Sequence, residues 1–476
     1  MNKSGKRLIN ISQKTFIQVI ILLAVLMAVA IILTYLVPKG EFGTRADGSV
    51  DYLTYITRDD LSGIPIAQGI FAPVLVFFSD DGLTLLMLSL FLMVISAAFQ
   101  VMNDVGGIRA LIGAVSDRFR NRRMLLLVLI SFLFYCFGSF LGLFEEMLTM
   151  FPIVASLCVL IGFDSFTGFI CTILSCGFGF ASAVTNPFTV LLASGIIGVN
   201  PMTNIWFRIV IFICMFPLLI VFLFLYLRRL EKDPSASLTN KHDETLRISA
   251  EESVLPDVEA VSGKRVRTVY TVFLLGALAL IIISSMLEAT RSYSVVFLIV
   301  YFLFGGIAAG IAATGKAYFV LKSFLSGLLS VLPTIVFIAM AASIKFIFDR
   351  GAILPTIVHQ INVLAQGRSP FGIALIIYFI VLILEFFISS SSAKAILVMG
   401  LLAVVNVGLS KSMMVLLYTF ADGYTNVLFP TSPVLLISLS MIEVDYIKWI
   451  RKSLPLFAVN FIMVILFIGL GIIIGY

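Results

Sequence analysis

Charge is scarce in this sequence. Only 12% of its 476 residues are Asp, Glu, Lys or Arg, whereas 60% are hydrophobic. A water-soluble chain of this size has about 25% charged and about 45–50% apolar residues. The apolar surplus is too large for the core of a soluble protein, so the composition places the chain in a lipid bilayer.

Residue types that build metal and redox sites are also few. The chain has two histidines, His242 and His359, and five cysteines that all fall inside apolar stretches. Cys171 and Cys176 do not have the spacing of a C-x-x-C site, so we interpret the cysteines as small hydrophobic side chains. Neither histidine has neighbours that suggest catalysis. We therefore expect no cofactor.

Signatures of catalysis and of nucleotide use are missing. Ser391 and Lys394 fit the S-x-x-K pattern of serine acyl transfer, but its companions S-D-N and K-T-G are absent. No G-x-x-x-x-G-K-[ST] loop is present for ATP. The net charge of +6 comes from loops beside apolar runs and does not indicate nucleic-acid binding. We predict that the chain is not an enzyme.

Long apolar runs are what the sequence does contain. A membrane span needs about 20 apolar residues, so we predict an all-α polytopic protein of about 12–13 spans. The domains are predicted as a first repeat over 1–227, a mobile polar linker over 228–267 and a second repeat over 268–476. The predicted spans are 16–37, 82–102, 124–143, 147–162, 166–194, 204–227, 268–287, 294–313, 327–348, 371–388, 394–408, 412–438 and 454–475.

Basic residues predict the orientation. With a cytoplasmic N-terminus, about 22 of the 32 Lys and Arg lie on the inner side, whereas the 38–81 loop outside is acidic. The first run, 16–37, is too long for a signal-peptide core and is read as a retained span. We expect a multi-pass protein of a bacterial plasma membrane, in contact with lipid.

The two halves of the chain resemble each other. The segment "GFASAVTNPFTVLLAS" matches "GYTNVLFPTSPVLLIS" at an offset of about 244 residues. The first half has one span fewer before this match, so matched spans cross in opposite directions. This is the pattern of an inverted repeat, which many secondary transporters have.

Polar residues and prolines interrupt the matched spans. Thr185 and Asn186 precede the predicted helix break at Pro187, and Pro430 and Pro433 break the second copy, together with a set of polar residues. Irregular backbone at membrane depth is tolerated only inside protein or along a wet cavity. We predict that both breaks bind substrate. The polar residues of the second break are Thr425, Asn426, Thr431 and Ser432.

Charged and hydroxyl side chains precede each break. Glu145 and Glu146 are costly in a bilayer unless they meet a proton, a cation or water. Their counterparts are Ser389, Ser390, Ser391 and Ser392. Lys394 and Asp422 are a plausible buried pair, whereas Glu385 is compatible with a place near an interface. No metal site is predicted beyond a candidate Na⁺ site near 389–392.

These residues resemble the YfcC family, also called four-carbon-dicarboxylate anaerobic carriers, in the wider ion transporter superfamily. The likeness rests on "GLFEEM" (142–147), "GFASAVTNPF" (179–188), "FFISSSSAKA" (386–395) and "FADGYTNVLFPTSPVLL" (420–436). It implies an elevator fold of two inverted repeats with re-entrant hairpins and broken helices, often a homodimer. It also implies that Glu145, Glu146 and Asp422 serve ion coupling and substrate.

The expected function is secondary active transport of a small charged metabolite that bears a carboxylate. The acidic pair favours amino acids of the arginine–ornithine type, and the alternative is a four-carbon dicarboxylate carrier coupled to Na⁺ or H⁺. Lys394 favours the alternative. A channel and a membrane sensor are rivals of another class, although 228–267 is too short for a signalling domain.

Overall fold

The computed structural model describes most of the chain. The described residues are 13–45, 50–80, 82–108, 110–111, 122–240, 242–244, 263–286, 293–365, 367–388, 391–404 and 408–476. All statements of structure below concern these residues.

The part before the polar segment contains nine helices and one small sheet within the described ranges. The helices are α1 (Gln13–Leu36), α2 (Ile66–Ile70), α3 (Ala72–Leu75), α4 (Gly82–Asp104), α5 (Arg123–Leu141), α6 (Met147–Leu160), α7 (Ser165–Ala181), α8 (Pro187–Ile197) and α9 (Ile205–Lys232). The strands are β1 (Gly40–Thr44) and β2 (Val50–Thr57), which pair antiparallel.

Ten more helices follow in the described ranges of the second part. They are α10 (Gly263–Met286), α11 (Val295–Thr314), α12 (Ala317–Ser330), α13 (Leu332–Arg350), α14 (Leu354–Ala365), α15 (Pro370–Phe387), α16 (Ser391–Val404), α17 (Lys411–Gly423), α18 (Pro433–Met441) and α19 (Tyr446–Ile473).

The molecule is a polytopic helical membrane protein. Eight helical stretches in the described residues are long and apolar enough to cross a bilayer, fewer than the 12–13 predicted. Four further apolar segments, α6, α7, α8 and the part of α16 over 394–403, are shorter. Helices α7 and α8 are short because a turn interrupts the apolar run 166–194, which the sequence suggested as one span. The last helix also begins at Tyr446, earlier than predicted.

Two long helix pairs pack outside the interrupted segments. Helix α4 lies along α12, and α1 lies along α13. Small residues allow α4 and α12 to pack closely, because a Cβ on Gly327 would lie 2.7 Å from the Cα of Ala97. The Ser96 hydroxyl donates to the Gly327 carbonyl at 3.0 Å across the same contact. Helices α1, α4 and α13 correspond to the spans predicted at 16–37, 82–102 and 327–348.

The 38–81 loop contains the small sheet. Strand β2 has the sequence "VDYLTYIT", which is rich in β-branched and aromatic residues. It pairs with β1, and the register of the pair shifts between Phe42 and Gly43. Tyr55 stacks on His359 of α14, with ring centroids 4.1 Å apart, and its hydroxyl lies 2.8 Å from Thr356. The sheet is thereby attached to α14, and the ring of His359 has a packing role.

Candidate functional site

The turn between α5 and α6 lies against the interruption between α7 and α8. Helix α5 ends in a wide turn over Phe137–Leu141, and Gly142 follows with φ +67°. A Cβ on Gly142 would lie 2.6 Å from the Asn186 side-chain oxygen, so this turn needs glycine for both conformation and space. The turn that contains Glu145 and Glu146 is therefore held at the first helix break.

Backbone groups freed by the first break bond to α5. The Val184 amide donates to the carbonyl oxygen and to the hydroxyl of Ser139, both at 3.1 Å, and the Thr185 amide donates to the same carbonyl at 3.3 Å. The Ser139 hydroxyl donates to the Ser182 carbonyl at 2.9 Å. Ser139, which the sequence reasoning did not single out, thus satisfies the interrupted backbone at membrane depth.

Asn186 and Pro187 together start α8. The Asn186 side-chain oxygen accepts from the Phe188 and Thr189 amides at 2.9 and 3.3 Å, and its Nδ2 donates to the Gly138 carbonyl at 3.1 Å. Pro187 is the first residue of the helix, where no amide donor is needed. The break is a helix end followed by a helix start, and Asn186 caps the new helix.

The second break has the same kind of helix start. Pro433 opens α18, and the Ser432 hydroxyl accepts from the Leu435 amide at 3.5 Å. Pro430 lies in the turn before it and Thr431 is buried. Side chains N-terminal to this turn bond to the preceding backbone. Thr425 donates to the Ala421 carbonyl at 2.7 Å, and Asn426 donates to the Asp422 carbonyl at 2.7 Å.

The two breaks meet in the structure. A Cβ on Gly423, the last residue of α17, would lie 2.0 Å from the Cα of Ala181, the last residue of α7. Nearby, a Cβ on Gly177 would lie 2.5 Å from the Val427 side chain. The predicted site residues around the breaks are therefore brought together by backbone contact between two helices far apart in the sequence.

A buried charged cluster lies at the turn between α15 and α16. The Lys394 ammonium is 2.7 Å from Asp422 Oδ1, contacts Glu385 and donates to the Ile388 carbonyl at 3.2 Å. Ser391 donates to Asp422 Oδ2 at 2.8 Å. Lys394 and Asp422 are fully buried, and Glu385 is 3% exposed.

This cluster answers whether Lys394 pairs with Asp422, which the sequence left open. It also corrects the expected position of Glu385. Lys394 does pair with Asp422. Glu385 is inside the protein rather than at an interface, and Lys394 lies beside it. The spacing of Glu385 and Lys394 across a helix end was the sequence signal for this contact.

Glu145 and Glu146 differ in their environment. Glu145 is exposed. Glu146 is 4% exposed. Thr185 is half-buried, and its hydroxyl donates to the Phe140 carbonyl at 3.2 Å. The acidic turn thus presents Glu145 outward and keeps Glu146 inside the protein.

Part of the predicted serine run cannot be placed. Ser389 and Ser390, together with the side chain of Ser392, lie outside the described residues. Ser391 is within hydrogen-bond distance of Asp422, and its carbonyl accepts from the Tyr418 hydroxyl. In the part of the chain that is described, no group of three His, Cys, Asp or Glu side chains could hold a metal ion.

A second polar cluster fixes the start of the predicted linker. Asp164 accepts from the Thr167 amide at 2.8 Å and from the hydroxyls of Tyr226 and Ser237. Asp243, after the end of α9, accepts from Ser165, the first residue of α7. The predicted polar linker was placed from residue 228, and its first residues are helical. Helix α9 continues to residue 232, and residues beyond it pack against the start of α7.

Burial changes the pKa values of this linker segment. Desolvation raises the pKa of the Asp243 carboxyl to about 6, and the nearby Asp164 carboxylate acts in the same direction. Desolvation lowers the pKa of the adjacent His242 imidazole to about 4. His242 also lines an apolar cleft formed by α4, α6 and α18.

Two curated relatives resemble the chain over most of its length. YfcC of Escherichia coli (strain K12), provisionally named a basic amino acid antiporter, is 27% identical over 395 residues, which cover 79% of this chain and 75% of YfcC. An uncharacterized protein of Haemophilus influenzae (strain ATCC 51907 / DSM 11121 / KW20 / Rd) is 23% identical over 376 residues, or 77% of this chain and 71% of its own.

Two solved structures align with the chain at low similarity. The YdaH transporter of Alcanivorax borkumensis is 15% identical, with coverage of 98% of this chain and 99% of its own and a TM-score of 0.42. MtrF of Neisseria gonorrhoeae, from a class of antimetabolite efflux pumps, is 16% identical, with coverage of 97% and 95% and the same TM-score. This similarity is too low to bear on the substrate.

Residues 16–473 match the family described as C4-dicarboxylate anaerobic carrier (DcuC). The match includes both helix breaks, the acidic turn and the buried Lys394 cluster. The family consists of carriers, so the chain is a membrane transporter and not an enzyme. The protein belongs to the C4-dicarboxylate anaerobic carrier family.

Proposed function

We propose that this transporter carries cationic amino acids, of the arginine–ornithine type, by exchange across the plasma membrane of a bacterium. One observation carries the proposal. Glu145 is exposed on the turn that packs against the first break, whereas Lys394 is already bound by two carboxylates. The accessible charge at the breaks is negative and suits a cationic side chain.

Residue roles follow from this arrangement. Glu145 binds the cationic end of the substrate or carries a coupling proton, and Glu146 supports it from the buried side. Thr185, the half-buried hydroxyl at the first break, binds the substrate's amino-acid group together with polar residues of the second break. Those residues are Thr425, Asn426, Thr431, Ser432 and the serines 389–392. Asp422 links this site to the Lys394 cluster.

Alternating access is proposed to work by an elevator motion. Two inverted repeats each supply a re-entrant helix pair, α5–α6 and α15–α16, and a broken helix, α7–α8 and α17–α18. These segments move as the substrate-binding unit against α1, α4, α10, α12 and α13. The proposal includes a cytoplasmic N-terminus and a homodimer built on the second set of helices.

The competing proposal is a four-carbon dicarboxylate carrier. The family description favours this function. A protein cation free to bind the second carboxylate of the substrate would favour it as well. Lys394 is the candidate cation, but its contacts with Glu385 and Asp422 occupy it. The name of the YfcC relative favours basic amino acids.

Counterflow in proteoliposomes separates these functions. Vesicles loaded with ornithine are expected to accumulate labelled arginine, and vesicles loaded with fumarate are expected not to accumulate labelled succinate. The reverse result would establish the dicarboxylate carrier. Arginine flux that does not depend on the solute loaded inside would instead indicate a channel.

A further inference from the structure

We propose that Lys394 is a built-in counter-cation that permanently occupies a monovalent-cation site at the turn between α15 and α16. Transport then requires no Na⁺ at this turn. The statement about transport rests on the proposed function. The cation site itself can be tested without any organic substrate.

The groups around the Lys394 ammonium are those that a hard cation selects. Its neighbours are a carboxylate oxygen of Asp422 at 2.7 Å, the Glu385 carboxylate and the Ile388 carbonyl at 3.2 Å. Carboxylate and carbonyl oxygens are the usual ligands of hard metal ions. An ammonium has three donors and no acceptor, and three protein acceptors meet it here. The nitrogen therefore stands where such an ion would be held.

The position of Lys394 in its helix supports this reading. Lys394 lies in the first turn of α16, where the helix dipole disfavours a positive charge. Two buried carboxylates reverse that preference, and without a cation they would repel each other in a low-dielectric environment. A cation at this point removes that repulsion, and the chain supplies it covalently.

The cluster also joins three separate elements. Glu385 is in the last turn of α15, Lys394 is in α16, and Asp422 is in the last turn of α17, beside the second break. Ser391 holds the other Asp422 oxygen, so both oxygens of that carboxylate are bound from the turn. In an ion-coupled carrier, a soluble cation would have to arrive before these elements could close. A tethered ammonium keeps them joined in every state of the cycle.

The test compares the purified protein with Lys394→Met in Na⁺ and in choline at equal ionic strength. Methionine ends one atom short of the lysine nitrogen and so vacates the cation position. We expect the melting temperature of the unmodified protein to be the same in both salts. That of Lys394→Met should be lower in choline and rise saturably with Na⁺. Lys448→Met, at an exposed lysine, is the matched control and should respond like the unmodified protein.

Two results would overturn the proposal. One is a saturable Na⁺ stabilisation of the unmodified protein. The other is a folded Lys394→Met that shows no Na⁺ response. If Lys394→Met does not fold, the double variant Glu385→Gln with Lys394→Met removes one charge of each sign and is tested identically. Failure of the double variant to fold leaves the unmodified protein's response to Na⁺ as the deciding result.

A transport arm keeps this test separate from the substrate proposal. Whichever solute of the counterflow panel is exchanged is assayed again with Na⁺ replaced by choline on both sides. An unchanged rate supports the built-in cation, and loss of exchange contradicts it. Absence of arginine–ornithine exchange contradicts the proposed function alone, because the melting measurements contain neither amino acid.

Discussion

Gly423 at the end of α17 lies directly against Ala181 at the end of α7, with room for a hydrogen but not for a methyl group. A Cβ at Gly423 would come within 2.0 Å of the Ala181 Cα. This contact brings the two helix breaks together, and with them the acidic turn and the buried lysine. The candidate site therefore depends on a glycine that carries no chemistry.

Gly423→Ala should destabilise the protein and abolish exchange together. A methyl group forced into backbone typically costs about 1–3 kcal/mol, and here the neighbour cannot rotate away. The melting temperature and monodispersity in detergent measure the effect. Gly195→Ala is the matched control, because nothing lies within 4 Å of that Cβ position in α8. A Gly423→Ala variant as stable as the Gly195→Ala variant would contradict the packing of the two breaks.

Glu145→Gln should lower arginine–ornithine exchange by at least about tenfold, since a hydrogen-bonded charge partner is worth about 1.5–3 kcal/mol. The variant should fold normally, because Glu145 is exposed. Initial counterflow rates over a range of pH provide the measurement. Glu231→Gln, an exposed acid at the end of α9, is the control. Exchange that is unchanged at every pH would remove Glu145 from the proposed site.

Asn186→Ala should lower the stability of the protein more than it lowers its affinity for substrate. The substitution removes the helix cap of α8, worth about 1 kcal/mol, and leaves the Gly138 carbonyl without its donor. Asn186→Asp keeps the cap acceptor and should recover part of the melting temperature. If Asn186→Ala raised only the KM for arginine and left the melting temperature unchanged, Asn186 would be a substrate ligand instead.

Asp243 and His242 should give opposite pH dependences of stability. The pKa of Asp243 is raised from 3.8 to about 6, so its stabilising effect is complete below pH 3.8 and is lost as pH rises through about 6. The pKa of His242 is lowered from 6.5 to about 4, so its stabilising effect is present above pH 6.5 and is lost as pH falls through about 4. Each effect is on the order of 2–3 kcal/mol.

Melting temperatures between pH 4 and 6.5 test this opposition. Relative to the unmodified protein, Asp243→Asn should gain stability as pH rises and His242→Gln should gain stability as pH falls. Asp233→Asn, at an exposed aspartate in the same segment, should show a constant difference. Difference curves of the same slope for the two variants would contradict the opposite shifts.

Local chemistry predicted much of the candidate site. Pro187 and Pro433 lack an amide donor, so the sequence alone located both helix breaks, and in the structure a new helix starts at each proline. The pairing of Lys394 with Asp422 was also foreseeable, because a lysine deep in an apolar run needs a carboxylate. These features depend on the residue types themselves.

The remaining features depend on how distant segments pack. Glu385 became part of the cluster because Lys394 packs against it, a tertiary contact that the residue types alone do not establish. Strand β2 lies within the acidic 38–81 loop. Its short alternating pattern is typical of a strand, but the polar character of the whole loop obscured that pattern. The docking of Asp243 on Ser165 joins residues 78 positions apart, and only the tertiary structure places them together.

The bonds between Ser139 and the first break have a mechanical consequence. Val184 and Thr185 donate their amides to Ser139. Pulling the two segments apart would strand these donors at a cost of several kcal/mol each. The α5 end and the first break therefore travel as a single rigid piece, and any surface that parts during the transport cycle has to lie elsewhere.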